Sequence, residues 1–295
     1  MEIQGYQQLF SRTSLYYNGF YMSNPKNVNS AANVAPDKVV TDEMVRYMSV
    51  ADQYAGRVGL NYALAPKAGI GATLGARIEG IDVRKANEVE WLEINQHFLA
   101  HQVIVFPNQN LTESDQIAFA RRWGELVRHP YAGMKDFPDI IELQNAGKQK
   151  DINQHWHSDM TYNKVPPKFT MLYARETPSI GGDTAFSNQI LAFNTLSEGL
   201  RSVLLNLKAE HTAANLATQY RKDSEKAPNA VHPVIREHDE THEKALFVCR
   251  AFTSKFQGWG VKESQALLSF LFEHSVRPEF QARHHWQNGD LVMWD

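Results

Sequence analysis

Cysteine is all but absent: Cys249 stands alone among 295 residues. A single thiol excludes an intramolecular disulfide and a zinc site built from cysteines. Its place in the apolar run Ala245–Cys249 predicts a buried, inert side chain rather than a nucleophile. Long apolar stretches are missing as well, none approaching the roughly 18 residues that span a bilayer. The first residues hold one Arg and no continuous apolar core, which argues against a secretion signal and for a cytoplasmic setting. Charge of one sign is scarce, since 30 basic and 33 acidic side chains leave a net −3. That balance provides no electrostatic footprint for nucleic acid or an anionic membrane. What is present is apolar content of 43%, ample for a large core.

Residues 1–60 read as an N-terminal extension and 61–295 as the main domain. In the extension, Tyr16-Tyr17-Asn18-Gly19 and Asn24-Pro25 are turn signals without sustained periodicity. Thr41 to Tyr54 is predicted as a short helix capped by Thr41. Gly69, Gly71 and Gly75 resemble a dinucleotide loop only superficially, because the last spacing is one too long; turn glycines are the better account. Regular patterning starts near Ile70, with extended segments from Ala72 to Val83 broken by Gly75 and Gly80. Trp91, Leu92, Ile94, Phe98 and Leu99 form the apolar arc of a helix. Val103–Phe106 is a short apolar run suited to a buried strand. Thr112 and Asp115 form a capping box that opens a helix ending near Trp123. Ser187 to Leu207 and Lys262 to His274 read as further helices. Asn288-Gly289 predicts a hairpin joining Phe280–Trp286 to Leu291–Trp294.

The densest chemistry lies in Asn153-Gln154-His155-Trp156-His157-Ser158-Asp159-Met160-Thr161. On a strand every second side chain shares a face, so His157 and Asp159 are expected to converge on one ion. A His-x-Asp pair is half of the two-His-one-carboxylate set that leaves open positions on Fe(II). His155 is a poor third ligand, because four strand residues place it roughly 13 Å from Asp159 if extended. His284 and His285 point to opposite faces of a strand and are expected at the surface. His211, His232, His238 and His242 show no ligand spacing.

Several segments then occur in a fixed order: Trp123-Gly124-Glu125-Leu126 with His129-Pro130, the His157-x-Asp159 segment, Val165-Pro166-Pro167, Gly181-Gly182-Asp183-Thr184, His232-Pro233-Val234, Ala245–Val248, Gln287–Asp290 and Trp294-Asp295. In this order they resemble the taurine and alpha-ketoglutarate-dependent dioxygenase family (TauD/TfdA) over about three quarters of the chain. The resemblance implies an α+β, mainly β fold, a double-stranded β-helix (jelly roll, clavaminate-synthase-like) with helical insertions and its final strands missing. It implies Fe(II) on His157 and Asp159, with 2-oxoglutarate and O2 as co-substrates and succinate and CO2 as products. Thr184 matches the family Thr that hydrogen-bonds the 2-oxoglutarate carboxylate. His129 and Asn153 match substrate-binding positions, and Tyr131 falls one position from another. The substrate so implied is a small organic anion, taurine or another alkylsulfonate first, with sulfate esters and aryloxyacetates behind.

In that family the Trp-Asp pair precedes the distal metal-binding His and a co-substrate Arg, neither of which occurs up to Asp295. An inactive chain is therefore the alternative expectation, with an unpaired Leu291–Trp294 edge inviting self-association into homo-oligomers. A zinc hydrolase using His155-x-His157-x-Asp159 is a further alternative, weakened by Met160 where that signature continues with His.

Overall fold

The computed structural model describes residues 12–19, 59–61, 74–143, 155–178 and 180–295. The sequence pattern that organises it is the run of apolar residues without a polar alternate. Such strands must be covered on both faces. Three of them, β4 (Val103–Phe106), β6 (Lys168–Glu176) and β14 (Leu291–Trp294), lie side by side in one sheet. Strand β14 is antiparallel to both neighbours, with Trp294 opposite Val103 on one side and Thr170 on the other. The sheet has seven strands and is completed by β1 (Arg12–Gly19), β2 (Gly59–Asn61), β3 (Ala76–Glu79) and β5 (Ile141–Leu143), in the order β2-β3-β4-β14-β6-β1-β5.

Strand parity divides the core in two. Val103, Val105, Leu172, Ala174 and Val292 face one way. Ile104, Phe106, Met171, Tyr173, Leu291 and Met293 face the other. The second set is covered by α1 (Glu88–His101) and α2 (Glu113–Ala120). Here Phe98 of α1 meets Phe169 edge-on, with ring centroids 5.6 Å apart, and burying a side chain of that size contributes about 1.5–3 kcal/mol. Both helices start on capping boxes, Asn87 with Glu90 and Thr112 with Asp115, which satisfy N–H groups left over at a helix start. The α1 arc is narrower than the sequence predicts, since Leu92 is exposed.

The first set of core residues packs against three smaller sheets. These are β7 (Thr184–Ser187) with β13 (Gln281–His284), β10 (Ile235–Glu237) with β11 (Lys244–Leu246), and β12 (Thr253–Phe256) with β8 (Lys208–Thr212) and β9 (Asn229–Pro233). Behind them lie α3 (Gln189–Asn194), α4 (Glu198–Leu204) and α6 (Val261–His274). A short α5 (Ala214–Gln219) follows β8.

Four expectations are corrected. The predicted Ser187–Leu207 helix is two helices, because Thr195 closes α3 and the Ser197 side chain caps α4 by accepting from Leu200 N–H. The predicted hairpin is not one: β13 pairs with β7, while β14 pairs with β4 and β6. The turn at Asn288-Gly289 is real, with Asp290 N–H donating to Gln287 O and Gly289 at φ +87°, but it carries the chain between sheets. Nor is Leu291–Trp294 an unpaired edge, since it sits inside the large sheet. Finally, Tyr16–Gly19 is not a turn but the end of β1, which pairs with β5 and β6. The predicted helix from Thr41 to Tyr54 lies outside the described residues.

Candidate active site

His157 and Asp159 come together, but not by strand alternation. The segment from His155 to Met160 is a loop running into a turn, where Met160 takes φ +48° and Asn163 N–H donates to Met160 O. His157 Nδ1 lies 2.7 Å from the His155 carbonyl oxygen. A carbonyl only accepts, so Nδ1 carries a proton, and Nε2 is the nitrogen turned toward Asp159. That Nε2 faces Asp159 Oδ1 at 3.4 Å. Two ligands at about 2.1 Å from one ion, subtending about a right angle, would lie about 3 Å apart, so the pair fits a shared divalent cation. The other carboxylate oxygen, Oδ2, accepts from Thr170 Oγ1 at 2.6 Å. Burial would push the Asp159 carboxyl up, but His157 and Thr170 outweigh it and hold it below its ordinary value.

Thr170 is reached through fold alone. It shares the inward face of β6 with Leu172 and Ala174, and so points into the core between the sheets. Two further histidines steady the turn beyond Asp159. His211 of β8 places Nδ1 3.0 Å from Thr161 Oγ1, and His232 of β9 places Nε2 2.9 Å from the Asn163 carbonyl oxygen.

His129 stands beside this pair as a neutral donor. Its Nδ1 accepts from the backbone N–H groups of Tyr131 and Ala132, at 3.1 and 3.0 Å. The proton therefore lies on Nε2. Burial lowers its pKa to about 4 against the opposing pull of Asp159. Around it, the rings of His129, Tyr131 and Tyr220 form a cluster with centroids 5.6–6.0 Å apart. Phe252 meets His157 and Tyr162 edge-on, at 6.2 and 5.0 Å. Burial, Asp159, Tyr131 and Tyr220 together push the Tyr162 hydroxyl up, so it stays protonated. Burial raises Tyr131 likewise.

Thr184 is buried at the start of β7, and its Oγ1 accepts from Trp286 Nε1 at 2.9 Å. Phe186, two residues on and on the same face, packs against Trp294 with centroids 5.4 Å apart, and Trp294 is the register partner of Thr170. Thr184 thus opens onto the core that Asp159 enters. Asn153 lies outside the described residues. The His155 side chain is exposed and does not join the pair; among the described residues no group of three His, Cys, Asp or Glu side chains is placed to hold an ion. The trio required by a zinc hydrolase is therefore not assembled there. His285 is exposed as expected and lies 2.8 Å from Asp183, but His284 is buried, 3.1 Å from Asp290. Its strand faces β7 and core rather than solvent. Cys249 is buried, and burial raises its thiol pKa, in keeping with an inert group.

Thr170, Tyr162, Tyr220, Phe252 and Trp286 have no signal of their own in the sequence beyond being polar or aromatic. Only the inward parity of β6 could have singled out Thr170.

Among the described residues no helix is long and apolar enough to cross a membrane. A curated relative, the alpha-ketoglutarate-dependent 2,4-dichlorophenoxyacetate dioxygenase of Cupriavidus pinatubonensis, is 35% identical over 246 residues, 75% of this chain and 85% of its own. The alpha-ketoglutarate-dependent sulfate ester dioxygenase of Pseudomonas putida is 30% identical, over 77% of this chain and 79% of its own. The crystal structure of a taurine dioxygenase from Burkholderia xenovorans superposes with a TM-score of 0.67 at 29% identity, covering 81% of this chain and 80% of that one. These relatives are dioxygenases, and the expectation of an inert chain draws no support from them. The sequence profile described as "Taurine catabolism dioxygenase TauD, TfdA family" matches residues 62–295, and with the mainly β, jelly-roll-like frame shared with its solved relatives, the chain belongs to that family of dioxygenases dependent on Fe(II), 2-oxoglutarate and O2.

Proposed function

We propose that this dioxygenase hydroxylates a small organic anion, with taurine or another alkylsulfonate as the first candidate. The observation that carries the reading is the pinned His157, whose Nε2 faces Asp159 3.4 Å away. In this reading His157 and Asp159 hold the Fe(II). When bound, the iron with 2-oxoglutarate activates O2: one oxygen atom enters the substrate C–H bond and the other the succinate carboxylate, as CO2 leaves.

The chain's own residues hold and shield the reactants. Thr170 fixes the rotation of the Asp159 carboxylate, so that Oδ1 points toward His157. Thr184 donates its hydroxyl proton to a 2-oxoglutarate carboxylate oxygen. His129 offers an Nε2–H to the substrate's sulfonate or carboxylate, a hydrogen bond to an anion from a neutral ring. Tyr131 lines the same side, and Asn153 is proposed there too from its sequence position. Tyr162 and Phe252 exclude water beside His157. The cluster of His129, Tyr131 and Tyr220 also suits a flat ring, which supports aryloxyacetates as the second candidate.

The test supplies the protein with Fe(II), 2-oxoglutarate and O2 and measures succinate against taurine, longer alkylsulfonates, alkyl sulfates and aryloxyacetates. Hydroxylation beside a sulfonate is expected to release sulfite with an aldehyde. Succinate formation no greater than the substrate-free rate across the whole panel would overturn the proposal.

A further inference from the structure

We infer that Trp286 is a positioning residue that sets the direction in which Thr184 donates its hydroxyl proton. The inference rests on the co-substrate role proposed for Thr184. An indole N–H can only donate, so in the 2.9 Å contact between Trp286 Nε1 and Thr184 Oγ1 the threonine oxygen is the acceptor. One lone pair of that oxygen is then engaged, and its own hydrogen must point elsewhere. Among the described residues no acceptor receives it, although Thr184 is only 5% exposed. A buried donor without an acceptor is costly, of the kind that folded proteins avoid unless a ligand completes it. A ligand that fits here is an acceptor-only group, a carboxylate or keto oxygen.

The scaffold holds the indole as well as the hydroxyl. His284 of β13 is in register with Thr184 of β7. Two residues later Trp286, 2% exposed, folds over the end of that pair into the inter-sheet core, and His284 meets its ring edge-on at 4.7 Å. The turn that follows is closed by Asp290 Oδ2, which accepts from Gln287 N–H at 3.0 Å. Without the indole, the threonine hydroxyl could rotate among its staggered positions, and part of the population would point its lone pairs at the incoming carboxylate. Trp286 thus acts on affinity for the keto acid through Thr184, without touching it.

The test is a double-mutant cycle read as binding, not turnover. 2-Oxoglutarate is titrated calorimetrically, without oxygen, into the Mn(II)-loaded parent and into Trp286→Phe, Thr184→Val and the double variant. Trp286→Phe should weaken binding about 3–10-fold, the size of one ordinary hydrogen bond. Thr184→Val should weaken it at least as much, and the double variant no further than Thr184→Val alone. In turnover the Trp286→Phe loss should appear in the KM for 2-oxoglutarate and leave kcat near the parent value. A Trp286→Phe protein that binds like the parent, or an effect that persists in full on the Thr184→Val background, would overturn the inference and leave the role of Thr184 standing. Parent-like binding by Thr184→Val would instead remove that role, and the inference with it. If Trp286→Phe does not fold, Thr184→Ser carries the test: it keeps the hydroxyl beside the indole and should bind within about 2-fold of the parent, whereas binding as weak as that of Thr184→Val would overturn the inference.

Discussion

Asp159 is restrained at both oxygens, one facing His157 and the other held by Thr170. Asp159→Ala should therefore abolish iron-dependent succinate formation, since the proposed anionic ligand is gone. Asp159→Glu should be severely impaired as well, because an added methylene moves the oxygen beyond a tolerance of about 0.5 Å. Coupled turnover at the parent level in Asp159→Ala would contradict the assignment of the metal ligands. Thr170→Val is a subtler change that leaves His157 and Asp159 intact but frees the carboxylate to rotate. Its Mn(II) affinity should drop about 10–100-fold, the usual range for partners of metal ligands, and calorimetric titration would show whether it does. His157 and Asp159 were legible in the sequence because their spacing is local. Thr170 was not, because its relation to Asp159 is created by a strand that runs past the Asp159–Asn163 turn.

At the level of elements, local signals served where they acted locally. The capping box at Thr112 and the buried run Val103–Phe106 formed as patterned. The Asn288-Gly289 turn also formed, yet turn chemistry alone does not state which strands the turn will join. Gly289 adopts φ +87°, and a Cβ there would lie 2.9 Å from the Gln109 carbonyl oxygen. Gly289→Ala should thus destabilise the fold by about 1–3 kcal/mol through backbone strain and the clash. Urea unfolding would register it as a lower midpoint with an unchanged slope. Ser197→Ala removes the cap that separates α4 from α3, and should cost about 1 kcal/mol in the same experiment.

Across the whole molecule, burial couples the core to acid. His211 is fully buried, and burial lowers its pKa from 6.5 to about 3. Between those values the unfolded chain binds a proton that the folded chain does not, so this contribution is complete above pH 6.5 and is lost as pH falls toward 3. By pH 5 the loss amounts to about 2 kcal/mol. His238, buried and also lowered to about 3, acts in the same direction, while Asp295, raised by burial, acts in the opposite one. Comparing the parent with His211→Gln isolates the first share: between pH 7.5 and 5 the variant should lose less stability than the parent, as read from urea midpoints. An equal loss would mean that His211 accepts a proton in the folded state. The sequence by itself determined the ordered motifs, the closeness of His157 and Asp159, the buried Cys249 and the buried Val103–Phe106 strand, because each depends on composition or on spacing along a few residues. Tertiary structure alone decided that β14 lies between β4 and β6, that His284 is buried, and that Thr170, His129, Tyr220 and Trp286 gather around one core. Those relations join residues tens of positions apart, and they exist only once two sheets close over the same apolar faces.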